Sequence, residues 1–118
     1  MQWTVVFHKE FESEFAELPL GVKEGLAATA TLLSSQGPAL GRPHADTLSG
    51  SKHPNMKELR FNAEDGVWRV AFAFDRARKA IILVAGDKAG VAQKRFYKAL
   101  IAKADARFTE HLETLKGK

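Results

Sequence analysis

The sequence predicts an α+β fold: a small, mostly antiparallel sheet with an α-hairpin packed on one face and a C-terminal helix, in the order β-α-α-β-β-β-α. Three observations lead there. β-branched and aromatic residues crowd the first segment and three later ones, the later ones with a period near two. Elsewhere apolar residues recur at three- and four-residue intervals. The two early helices come as a pair and three strands then follow as a run, so α and β are segregated along the chain rather than alternating.

The elements follow in order. "WTVVFH", Trp3 to His8, favours a strand. In "KEFESEFAELP", Phe11, Phe15 and Leu18 repeat at i, i+4, i+7, a short amphipathic helix that Pro19 breaks or restarts. "GVKEGLAATATLLSSQG" places Val22, Leu26, Ala30 and Leu33 on one face of a second helix, ended by Gly37-Pro38. Residues 36–55, rich in Gly, Pro, Ser, His and Asn, read as one long loop. Strands are expected at Met56–Phe61, Val67–Phe74 and Ala80–Ala85, and a last helix from about Val91 to Leu115.

At 118 residues, with no linker or repeat, the chain is expected to form one domain, 1–118. Cysteine is absent, which excludes disulfides, thiolate metal sites and cysteine nucleophiles. No apolar run approaches a membrane span and the first residues lack a signal pattern, so a soluble cytoplasmic protein with no membrane partner is expected. The formal net charge of +4 is unevenly placed. Residues 1–41 hold two basic and five acidic groups, residues 42–98 twelve and six. The positive charge therefore sits with the predicted sheet, which suits a polyanion or an acidic protein as partner, or a solvated basic surface.

Strand parity assigns faces. Trp68, Val70, Phe72 and Phe74 make a bulky apolar face, matched by Leu59 and Phe61. Arg69, Ala71 and Ala73 then share the opposite face with Glu58 and Arg60. Both arginines are expected to leave the core onto one open surface, floored by small alanines. Two hairpin registers satisfy this parity. One sets Arg60 opposite Arg69, repulsive unless an anion lies between them; the other sets Glu58 opposite Arg69 as an ordinary cross-strand ion pair. Lys88 follows the last strand, and Lys94 and Lys98 lie one helical turn apart with Tyr97 between them.

Other chemistries are poorly represented. "GDKAG" lacks phosphate-loop spacing, the serine of "LSGS" lacks the strand and helix of a nucleophile elbow, and no two of the four histidines stand at i, i+4 as a helical metal pair would. No metal site or cofactor is expected. What remains is a cationic surface. It can bind nucleic acid through phosphates, and it can stabilise the charge that builds on phosphorus when an RNA 2′-hydroxyl attacks the adjacent phosphate.

"LSGS…MKELRF", "GVWRVAFAFD", "AIILVAGDKAG" and "QKRFYKALIAKADARF" together resemble the RelE/ParE toxin superfamily of type II toxin–antitoxin modules, in its phage-derived, HigB-like branch. The resemblance spans most of the chain. It implies a metal-independent, ribosome-dependent mRNA endonuclease (an mRNA interferase), neutralised by a helix-turn-helix, HigA-like antitoxin and acting on the ribosome and its mRNA. Carried over by position, Arg60, Arg69 and Lys88 are the catalytic candidates, with Arg69 and Lys88 on transition-state charge. Tyr97 matches the family's late aromatic, and His53, Lys57, Lys94 and Lys98 are candidates for substrate contact. Two features depart from the pattern: Glu58 stands where several RelE-like members carry a base, and "GDKAG" lacks the longer basic stretch. The alternatives are a ParE-style inhibitor of DNA gyrase and an inactive basic protein-binding module.

Overall fold

A computed structural model describes residues 2–116. The elements are β1 (Thr4–Phe7), α1 (Lys9–Ala16), α2 (Leu20–Gln36), a 3-10 turn (Gly37–Ala39), β2 (Ala45–Thr47), β3 (Lys57–Ala63), β4 (Gly66–Phe74), β5 (Lys79–Asp87) and α3 (Gln93–Lys116). The strands form one sheet in the order β1-β5-β4-β3-β2, antiparallel except for the β1–β5 pair. The α+β class and the helix pair are as expected. β2 is an addition: Ala45, Asp46 and Thr47 pair with Leu59, Glu58 and Lys57 inside the segment expected to be loop. Three residues are too few to display a period-two pattern, so β2 left no trace in the sequence.

α1 and α2 cover one face of the sheet. Phe11, Leu26 and Leu33 pack there with Leu59, Val70, Phe72 and Ile82. α2 begins at Pro19 without a side-chain cap of its own. Instead Glu64, from the β3–β4 turn, accepts a bond from Gly21 N at 2.7 Å, placing an anion at the positive end of the helix. Gly37, at φ +56°, ends α2 in a conformation that disfavours a side chain.

The opposite face corrects the expectation of an open surface. α3 lies across it, and Ala71 and Ala73 are fully buried in a second core with Phe96, Leu100, Ala104 and Phe108. The alanines are the seat for a helix rather than the floor of a groove. An amphipathic helix must bury its apolar stripe, and small residues on the sheet let it approach closely. Gly86 completes that seat: a Cβ there would lie 2.9 Å from the Phe96 ring.

Polar ties fasten α3 at its far end. Arg107 bonds Glu14 of α1 and the Leu83 carbonyl. His8, whose Nδ1 caps α1 by accepting from Glu10 N, meets Glu110 at 2.8 Å. His111 meets Asp75 of the β4–β5 turn at 2.8 Å. Among the described residues no helix is long and apolar enough to cross a membrane.

Candidate active site

Near the first turns of α3 the charged residues of this face gather, Glu58 and Arg69 buried and Arg60 partly exposed. The β3–β4 turn fixes the arrangement. Glu64 and Asp65 take φ of 51° and 63°, the two left-handed residues of a two-residue hairpin loop. That loop sets Arg60 directly opposite Arg69. The anion needed between them belongs to the protein. Glu58, two residues before Arg60 and so on the same face, accepts from Arg60 Nη1 at 2.7 Å and lies 3.9 Å from Arg69 Nε. Glu58 thus pairs with both arginines, although it stands opposite Ala71 rather than opposite Arg69.

The two arginines are not equivalent. The Arg60 side chain is 20% exposed, that of Arg69 8%. Arg69 donates from Nη1 to the Trp68 carbonyl at 2.9 Å. Among the described residues its Nε is the buried side-chain nitrogen without a hydrogen-bond partner. Both arginines were expected on open surface; α3 and Glu58 instead enclose Arg69 and leave Arg60 at the rim.

Tyr97 closes the group. It sits on the first turns of α3, and its hydroxyl donates to Glu58 Oε1 at 2.8 Å. Burial raises its pKa above the ordinary 10.0, and the bond to Glu58 and that group's charge raise it further, while Arg69 pulls the other way. The phenol therefore keeps its proton at neutral pH and is a hydrogen-bond donor.

A cavity of about 670 Å³ opens in front of these groups. Arg42, Glu58, Arg60, Lys88, Lys94 and Tyr97 line it, together with the Thr47–Ser49 segment. Lys88 follows β5, held by its backbone N–H on the Val67 carbonyl at 2.8 Å. Its ammonium lies 5.9 Å from the centre of the Tyr97 ring. Its position depends on a β-bulge: the pairing passes from Ala71↔Val84 to Phe72↔Ile82, leaving Leu83 as the extra residue in β5. The bulge resets parity, so Gly86 stands opposite Arg69 and the chain leaves the strand on the cavity side.

The structure thus brings Arg60, Lys88, Lys94 and Tyr97 together, with Arg69 beneath. Lys98, one turn further along α3, is exposed and does not line the cavity. His53 lies elsewhere: its Nε2 is 3.0 Å from Thr109 Oγ1 and its ring is edge-on to Phe108. Thr109 is twelve residues along α3 from Tyr97, about 18 Å at a helical rise of 1.5 Å per residue. Lys57 points to the other face of the sheet, its ammonium 3.4 Å from the Pro38 carbonyl. Two charged lining residues escaped the sequence reading as site candidates. Glu58 read as a departure, although parity already placed it beside the arginines. Arg42 lay in the loop without a pattern to mark it; it is paired with Asp46 at 2.7 Å.

The model of the family described as Phage derived protein Gp49-like (DUF891) matches residues 13–109. The chain belongs to this Gp49-like family. A Mycobacterium tuberculosis protein named as the toxin HigB3 is 40% identical over 113 residues, 96% of each chain. Another from the same organism, named as the toxin HigB2, is 49% identical over 86 residues. That match takes in 72% of this chain and spans 42% of HigB2's own length. The free-state structure of an arginine-to-alanine double mutant of the E. coli toxin RelE superposes with a TM-score of 0.61, at 14% identity, over 87% of this chain and 97% of that one. The Gp49-like chain therefore has the RelE-like fold and stands among the HigB-related toxins of toxin–antitoxin modules.

Proposed function

We propose that this chain is the toxin of a type II toxin–antitoxin module and cuts mRNA on the ribosome without a metal ion. The observation that carries the reading is the cavity in which Arg60, Lys88 and Lys94 converge on a protonated Tyr97 held by Glu58. In such a cleavage the 2′-hydroxyl loses its proton to water as its oxygen attacks phosphorus, the bond to the 5′-oxygen breaks as that oxygen takes up a proton, and negative charge grows on the phosphorane between these steps. Fixed guanidinium and ammonium groups stabilise that charge most where water is excluded. Glu58 holds Arg60 and Tyr97 in fixed relation, and Tyr97 donates to the departing 5′-oxygen by turning its single hydroxyl proton from that carboxylate. Arg69 supports this group from below through the same carboxylate. A HigA-like helix-turn-helix antitoxin is the partner expected to silence the toxin.

Induced expression should arrest growth, and Arg60→Ala should relieve the arrest while the variant stays folded and abundant. Translation and DNA supercoiling are assayed in parallel. Unaffected translation with impaired gyrase would replace the nuclease reading with a ParE-style one.

A further inference from the structure

A second concavity, of about 440 Å³, lies on the far side of Arg60. Arg42, His44, Arg60, Asn62 and Arg69 line it, so Arg42 and Arg60 form a ridge shared with the first cavity. The charge around this ridge is unbalanced. Three guanidiniums meet two carboxylates: Glu58 serves Arg60 and Arg69, and Asp46 serves Arg42. The histidine adds a further donor, and Arg69, 7% exposed, keeps its Nε without an acceptor. The wall is also set in place. Arg60 N donates to the His44 carbonyl at 2.8 Å, and His44 N and Ala45 N both donate to Gly41 O at 3.0 Å. A rigid cationic hollow joined to another across an arginine ridge is suited to a chain with anions at regular intervals, not to one isolated anion.

We propose that this hollow is a second phosphate subsite, which takes the phosphodiester adjacent to the one held before Tyr97 and Lys88, so that the RNA strand crosses over Arg60. The proposal rests on the nuclease reading and extends it from one phosphate to two. Arg42 is the adjustable contact. In the free protein it is engaged by Asp46, with Nε at 2.9 Å and Nη2 at 2.7 Å from Asp46 Oδ2. RNA must compete with that carboxylate for the guanidinium. Asp46 is therefore an internal rival of the second phosphate.

The test uses the intact chain and two 2′-O-methylated, uncleavable probes: a dinucleoside monophosphate and a trinucleoside diphosphate. Affinities are measured by fluorescence anisotropy over a salt series. For the native chain the longer probe should bind more tightly, and its salt slope should be steeper by about 0.7, the counterion release expected per phosphate of a single strand. Arg42→Gln should abolish that gain, weakening the longer probe more than the shorter, since Arg42 borders both cavities. Asp46→Asn should enlarge it, tightening the longer probe about threefold, in the range of an exposed ion pair released. These opposite shifts separate a lost contact from a damaged fold. Equal affinity and slope for both probes, or an Arg42→Gln chain indistinguishable from native, would overturn the second subsite and leave the first intact. Failure of the native chain to bind either probe at low salt would overturn the subsite, while the ribosome-dependent reading stands or falls separately on the growth and translation assays.

Discussion

Arg60 and Arg69 face each other across the β3–β4 pair, and the carboxylate of Glu58 joins them, 2.7 Å from one and 3.9 Å from the other. Like charges directly opposite destabilise a sheet. This register is therefore held by a third residue on the same face, itself 3% exposed. Glu58→Ala should remove that compensation and cost about 3–5 kcal/mol, the usual effect of stripping one member from a buried ionic group. Urea unfolding is the measurement. Inorganic phosphate should raise the Tm of the variant more than that of the native chain, because an added anion can occupy the vacated place between the guanidiniums. A variant as stable as the native chain would show that the opposed arginines tolerate each other without Glu58.

Exposure separates what the two arginines should do when removed. Arg60 is at the rim, so Arg60→Ala should lower RNA cleavage about a hundredfold, the lower end for losing one group that stabilises transition-state charge. Its cost in unfolding free energy should be smaller than that of Arg69→Ala, because Tyr97 and Arg69 still face Glu58. Arg69 is enclosed by Glu58, Tyr97 and the Trp68 carbonyl, so Arg69→Ala should lose stability and activity together. Growth arrest alone cannot tell these apart for Arg69. Cleavage rate and unfolding free energy, measured on the same purified variants, can.

Tyr97 links stability to alkaline pH. Its pKa is raised, first by burial and then by Glu58. A group whose folded pKa lies above its unfolded value contributes stability below the unfolded pKa and loses it as pH rises through the folded one. The native chain should accordingly weaken above about pH 10 more steeply than Tyr97→Phe, which has no phenol to ionise. Near neutral pH the order reverses. Tyr97→Phe should be less stable by about 1 kcal/mol, the net value of one hydrogen bond, and slower in cleavage.

Much of this arrangement was legible in the sequence because strand parity is a strong constraint. The alternation through "GVWRVAFAF" placed Arg69 with the alanines, and the match to "KELRF" placed Glu58 and Arg60 beside it. Parity did not reveal what covers that face. The same alanines suit a shallow groove or a packed helix, and the choice rests on where the apolar stripe of α3 finds its burial. The register was open for a related reason. Asp65-Gly66 signals a tight turn, yet the central residues are Glu64 and Asp65, one place earlier. A one-residue bulge at Leu83 and a three-residue β2 carry no periodic signal at all, and they deliver Lys88 and the Thr47–Ser49 wall to the cavity.

The far end of α3 should detach its support in acid. Two carboxylates that hold it have lowered pKa values. For Glu14 the Arg107 hydrogen bond is the main cause and outweighs burial. For Asp75 burial is the largest effect and pushes upward, but the bonds from His111 and from the Lys79 and Ala77 amides together overcome it. Depressed carboxylates contribute stability above their unfolded values, 4.5 and 3.8, and lose it as pH falls through the folded ones. Arg107→Met should remove the Glu14 share. At about pH 7 the variant should be less stable than the native chain, and the two unfolding free energies should converge as pH falls below about 4. A constant difference down to acid pH would show that Arg107 acts through packing and the Leu83 carbonyl alone. His111→Phe should behave likewise through Asp75, with convergence at a lower pH because the ordinary aspartate value is lower.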